Sequence, residues 1–236
     1  ELIREGIPRE EIQKLCDVHL AVFREQLEEQ KIEVAAGTPI SILLEEHKIL
    51  EKMLDKLKVT VERIKQATEV SSIEGEISQL KSIVDHLLEA EKHYLREENV
   101  LFPYLEKYGI TEPPAIMWME HNKLRERKKE LRELIENYRD FDFKEFKEKL
   151  DENAQAVRNL LSNHIFKENR VLFPTALRVI TNEEWVSIRE EFDEIGYCCF
   201  TPPRIISATP QIARGEEKTV TAEAGESKLQ FETGSL

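Results

Sequence analysis

The chain has few of the residues that interrupt helices. Its 236 residues include only eight glycines and nine prolines, and these gather at a small number of boundaries. That scarcity argues against a fold of many short strands and tight turns. Cysteine is scarce too: Cys16 and the adjacent Cys198 and Cys199. An odd number with one vicinal pair does not make a secreted disulfide framework, and a cytoplasmic location is expected. Basic charge is in deficit, with 34 Lys and Arg against 47 Asp and Glu for a net charge of −13. A protein that tracks nucleic-acid phosphates needs a basic face, so no nucleic-acid partner is expected. No apolar run approaches the roughly 18 residues of a membrane helix. No membrane span is expected, and no signal peptide is visible.

Hydrophobic residues make up 40% of the chain and charged residues 34%, the balance of long amphipathic helices around a core. Start signals recur. Thr38-Pro39 and Thr111 before Pro113-Pro114 place proline at helix openings, while Ser71 with Glu74, Asp142 with Glu145 and Thr181 with Glu184 fit the capping-box spacing. Helices are expected over about 39–67, 72–108, 114–138 and 143–179, with a shorter one over about 182–195. The stretch from Pro8 to Gln30 also reads as an amphipathic helix. The expected fold is all-α, an up-down-up-down four-helix bundle. Its expected organisation is an N-terminal helical segment over 1–36, the bundle over 37–180, a short packing helix within 181–200, and a linker with a β-hairpin signal over 201–236.

An internal repeat carries the chemistry. His93-Tyr-Leu-Arg-Glu97-Glu-Asn-Val-Leu-Phe-Pro103 aligns with His164-Ile-Phe-Lys-Glu168-Asn-Arg-Val-Leu-Phe-Pro174 at a constant offset of 71. A weaker match joins Glu46-His47 to Glu120-His121. Residues four apart on a helix differ by about 40° and share a face, so each His-x-x-x-Glu pair points one way. The faces are apolar: Ile40, Leu43, Leu50, Leu54 and Leu57 flank His47, and Met117, Trp118, Leu124 and Leu131 flank His121. Phe146, Leu150, Val157, Leu161 and Val171 share the His164 stripe. Two carboxylates on such stripes would cost several kcal/mol each if unpaired. A pair of metal ions would neutralise them, and imidazole with bridging carboxylate suits iron, manganese or zinc.

These residues resemble the hemerythrin-like (HHE cation-binding) domains over about Ile40 to Leu177. Flanking segments, among them Leu15-Cys16-Asp17-Val18-His19 and Gly196-Tyr197-Cys198, are similar to the domain-of-unknown-function-438 subfamily. The resemblance implies a four-helix bundle with a non-haem di-iron centre. In it His47, His93, His121 and His164 bind two iron ions, and Glu97 and Glu168 bridge them. Hemerythrins proper use five histidines. His86 is a candidate fifth ligand or an outer partner, and His19 reads as structural. Glu89, Glu120 and Glu46 are candidates to orient imidazoles or move protons. Tyr104 reads as a packed aromatic or a donor to a bound ligand, Trp118 as core, and the Lys128-Lys129 neighbourhood as a solvated face.

The expected function is a di-iron module that binds or senses dioxygen, nitric oxide or redox state in a regulatory role. Its expected partner is a downstream sensor domain or a second copy in a homodimer. The alternatives are a di-iron enzyme, resembling iron–sulfur cluster repair factors that act on nitric oxide or peroxide, and an interaction scaffold with zinc or no metal.

Overall fold

The computed structural model describes residues 32–202. The expected N-terminal helix, His19, Cys16 and the C-terminal hairpin lie outside the described residues. Within them the chain is all-α.

Helix α1 spans Pro39–Gln66, with proline in its first turn. A short 3₁₀ turn, Val70–Ile73, leads into α2, Glu74–Glu89. The Ser71 cap expected here does not form, because the 3₁₀ turn delays the helix start and Ser71 instead bonds Glu69. Helix α3, Glu91–Arg96, continues after a break at Ala90. A π turn, Glu97–Leu101, then joins α3 to α4, Phe102–Lys107. The second hairpin repeats the plan: α5, Glu112–Glu136; α6, Phe143–Lys167; a π turn, Glu168–Leu172; and α7, Phe173–Val179. Asp142 caps α6 by accepting from the backbone N–H groups of Lys144 and Glu145. Helix α8, Asn182–Ile195, opens on the full Thr181–Glu184 capping box.

The π turns have a common cause. Proline lacks an N–H, and its ring crowds the carbonyl four residues back. Pro103 and Pro174 each follow a glutamate by six residues, and in both copies the ladder widens just before the proline. Phe102 N–H bonds the Glu97 carbonyl, and Phe173 N–H bonds the Glu168 carbonyl. Each wide turn therefore begins at the glutamate itself.

Helix α1 packs along α2, α2 along α5, α5 along α6, and α6 back onto α1. This closed ring is the expected bundle. Among the described residues its interior is two apolar clusters. One is built on Leu50, Leu57, Leu80, Leu87, Leu131, Phe146 and Leu161. The other contains Leu43, Leu101, Met117, Phe173, Trp185 and Phe192. Between them lies a layer of buried His47, His93, Glu97, His121, His164 and Glu168. Helix α8 packs against α1, α3 and the first π turn, so it covers one copy of the repeat. Val100 is buried there, whereas its repeat mate Val171 is 36% exposed. The expected placement of Val171 on the core stripe is thus corrected.

Candidate metal centre

The polar layer forms two groups of side chains whose donor atoms converge: His47, His93 and Glu168, and His121, His164, Glu97 and Glu168. Glu168 belongs to both. Its Oε2 lies 2.9 Å from His47 Nε2, while its Oε1 lies 2.7 Å from His164 Nε2, 3.9 Å from His121 Nε2 and 4.0 Å from His93 Nε2. Glu97 also straddles the groups, with Oε1 3.7 Å from His93 Nε2 and Oε2 3.3 Å from His121 Nε2. The Nε2 atoms face each other in pairs, His47 with His93 at 3.3 Å and His121 with His164 at 3.0 Å.

Outer partners set this orientation. Each Nδ1 donates a proton to an oxygen: His47 to Asn169 Oδ1 at 2.8 Å, His93 to Glu46 at 2.8 Å, His121 to Glu98 at 2.7 Å and His164 to Glu120 at 2.9 Å. Those oxygens can only accept. Every Nδ1 is therefore the protonated nitrogen, and every Nε2 is the one turned inward, the usual tautomer of a metal-ligating histidine. Three acceptors are themselves ion-paired: Glu46 to Arg96 at 2.5 Å, Glu120 to Lys167 at 2.5 Å and Glu98 to Arg125 at 3.0 Å.

The inner carboxylates meet imidazoles and, among the described residues, no lysine or arginine. Among the described residues, none of the four oxygens of Glu97 and Glu168 meets hydrogen-bond geometry with a donor, although all are buried. Burial, then repulsion from Glu168, pushes the Glu97 carboxyl well above its usual range. Burial also opposes the charge on Glu168, but the His164 and His47 imidazoles outweigh it and hold that carboxyl low. Burial lowers His121 and His164 as well, yet the carboxylates around them outweigh it and raise both to about 9. For His93 burial wins over Glu46, and the value falls to about 4. Nitrogen donors aimed inward, with carboxylate oxygens that have no other donor, fit a pair of cations.

Other expected residues lie elsewhere. His86 is exposed, with Nδ1 on the Ser82 carbonyl of its own helix at 2.8 Å. The break at Ala90 separates its turn from the His93 turn, so it is not part of the layer. Glu89 is also exposed. Tyr104 donates to Glu191 at 2.9 Å, away from the layer. Trp118 is 51% exposed and not core. Lys128 is not on a solvated face: it is buried, with Nζ donating to the Leu87 carbonyl at 2.9 Å and contacting Tyr94 Oη at 3.2 Å. Glu46 and Glu120, which precede His47 and His121 in sequence, accept instead from His93 and His164. Glu98, Asn169, Arg96, Lys167 and Arg125 were not anticipated. The repeat held the signal for four of them, since its offset aligns Arg96 with Lys167 and Glu98 with Asn169.

The fold and the layer define a class: a helical bundle with a buried histidine–carboxylate site suited to cations. The sequence profile of the hemerythrin HHE cation binding domain matches residues 38–176, and that of a family of unknown function (DUF438) matches residues 1–29. The chain belongs to the hemerythrin HHE cation binding domain family. No curated protein matches it.

Proposed function

We propose that this protein is a di-iron module that binds or senses dioxygen, nitric oxide or redox state, and that its role is regulatory. In this reading His47 and His93 hold one ion, His121 and His164 hold the other, and Glu97 and Glu168 are shared. The observation that carries it is the inward aim of four Nε2 atoms onto four carboxylate oxygens that meet no hydrogen-bond geometry among the described residues. When bound, iron supplies reversible one-electron chemistry and vacant positions for a small ligand. With only two histidines beside the carboxylates for each ion, these residues would leave room for such a ligand.

The residues around the layer divide the remaining work. Tyr94 stacks on His121 with ring centres 4.2 Å apart, and Phe173 stacks on His47 at 5.4 Å. These rings exclude water from the layer. Ion pairs support the outer acceptors of three histidines. The arm of His47 is different: it ends on neutral Asn169, and both residues line a cleft of about 880 Å³ with Ile42, Leu44 and Arg170. A diatomic ligand is small enough to use this route, which favours sensing over a sealed structural site.

Iron per chain, measured after anaerobic loading and desalting, tests the reading. About two irons are expected in the wild type and a sharp fall in His164→Ala, with helicity checked by circular dichroism. A spectral change on adding nitric oxide to the loaded protein is also expected. Zinc or no metal in a folded wild-type protein would overturn the proposal.

A further inference from the structure

The chain leaves α8 through Gly196 and Tyr197 into the vicinal pair Cys198-Cys199. This short stretch touches the site twice. The Cys198 backbone N–H donates to Glu46 Oε1 at 3.2 Å, beside the Glu46 bond to His93 Nδ1. The Tyr197 ring lies 4.9 Å from the Arg96 guanidinium that pairs with Glu46. The next residue, Phe200, lines the cleft together with His47 and Asn169.

The backbone at the pair is unusual. Cys199 has φ +66°, the sole positive φ outside glycine among the described residues. Phe200 N–H bonds the Cys198 carbonyl at 2.7 Å, which closes a three-residue turn centred on Cys199. A turn of this hand is rare and strained. A disulfide between adjacent cysteines closes an eight-membered ring, which an extended chain cannot do and a tight turn favours. Cys198 is 2% exposed and Cys199 is partly exposed, so one sulfur is open to reagents and the other is held behind it. The interaction between the adjacent thiols lowers the Cys199 thiol and raises that of Cys198, the polarity of an attacking and a resolving thiol.

We propose that Cys198-Cys199 is a redox modification site, oxidised by hydroperoxides to a vicinal disulfide, and that its oxidation state is felt at the His93 arm and at the cleft wall. The Cys199 thiolate attacks one peroxide oxygen and breaks the O–O bond. It becomes a sulfenic acid, and the second oxygen leaves as water or alcohol after taking a proton. Cys198 then attacks the sulfenic sulfur and forms the S–S bond, and the hydroxyl leaves as water with the Cys198 proton. Two thiols lose two electrons and the peroxide gains them; a dithiol reductant reverses the change. Closing the ring turns the peptide between the cysteines, whose carbonyl anchors Phe200. The change therefore reaches the cleft directly, and reaches Glu46 through the Cys198 N–H.

The test uses the full chain, with and without iron, treated with hydrogen peroxide. Intact mass and peptide mapping should show a loss of about 2 Da confined to the peptide holding both cysteines. Dithiothreitol should restore the mass. Cys16→Ser should behave as wild type, while Cys199→Ser should not form the bond. A disulfide to Cys16, a bond between chains, or irreversible oxygen addition at Cys199 would overturn the site. The second measurement is the rate of iron release to a chelator. It should change severalfold on oxidation of the wild type and stay constant in peroxide-treated Cys199→Ser. A vicinal disulfide that leaves the release rate unchanged would overturn the coupling. The thiol readings need no metal, so a failure of the iron reading is seen separately.

Discussion

Asn169 and Glu98 occupy the same place in the two copies of the repeat, yet they give their histidines different partners. Glu98 is an ion-paired carboxylate on His121, whereas Asn169 is a neutral acceptor on His47. Acceptors of this kind typically govern metal affinity by about 10–100-fold. Glu98→Gln is expected to weaken iron binding within that range with little loss of stability, because Arg125 keeps its pairing with Glu91 at 2.7 Å. Chelator competition reads the affinity. Glu97→Gln separates stability from binding. Burial and the neighbouring Glu168 both disfavour its ionised form, so a neutral amide of the same shape removes the cost of placing an acid there. The metal-free variant is expected to gain about 1 kcal/mol, roughly a 3 °C rise in melting temperature. Iron content is expected to fall. A lower melting temperature in metal-free Glu97→Gln would refute this account.

Among the elements, the π turns matter most to the site. A straight α-helix through Glu97 and Glu168 matches their periodicity, and the sequence reads as two unbroken helices. The proline six residues on makes the ladder widen at each glutamate. Pro103→Ala and Pro174→Ala are expected to let the helices close toward regular α geometry. The metal-free protein should then be at least as stable, since proline disfavours a helix interior by about 3 kcal/mol. Iron affinity should drop as the glutamates rotate. Equal iron affinity in the double variant and the wild type would show that the prolines do not position the carboxylates. The break at Ala90 has a partner of its own: Lys128 reaches across from α5 to the Leu87 carbonyl.

Across the whole molecule, the layer divides the core, and charge buried near it has a cost that pH reveals. Burial depresses Lys128 from its usual value of 10.5 to about 8. The unfolded chain therefore holds this proton over a pH range where the folded chain has released it. The sign follows from linkage: stability from this group rises with pH through that window. Urea unfolding at about pH 7.5 and about pH 10 should show Lys128→Met losing a rise of about 2 kcal/mol that the wild type retains. The bundle itself is expected to melt higher with iron than after chelation, because a ligand bound only to the folded state stabilises it.

Helix periodicity, capping signals and the repeat were legible in the sequence because each is a local or self-similar property. They were enough to order the helices and to draw His47, His93, Glu97, His121, His164 and Glu168 onto core stripes. The contacts of individual side chains were not legible. His86 keeps the angular phase of His93, yet the break at Ala90 takes it to the surface. Lys128 resembles its exposed neighbour Lys129 in sequence, but the chain fold puts a carbonyl and a ring above it. The sequence by itself determined a bundle with a histidine and carboxylate layer, since 3.6-residue periodicity sets which residues share a face. Only the tertiary structure decided which acceptor turns each imidazole, which carboxylate spans both groups and where the cleft opens. Those depend on distances between helices far apart in the chain, which no periodicity along one helix encodes.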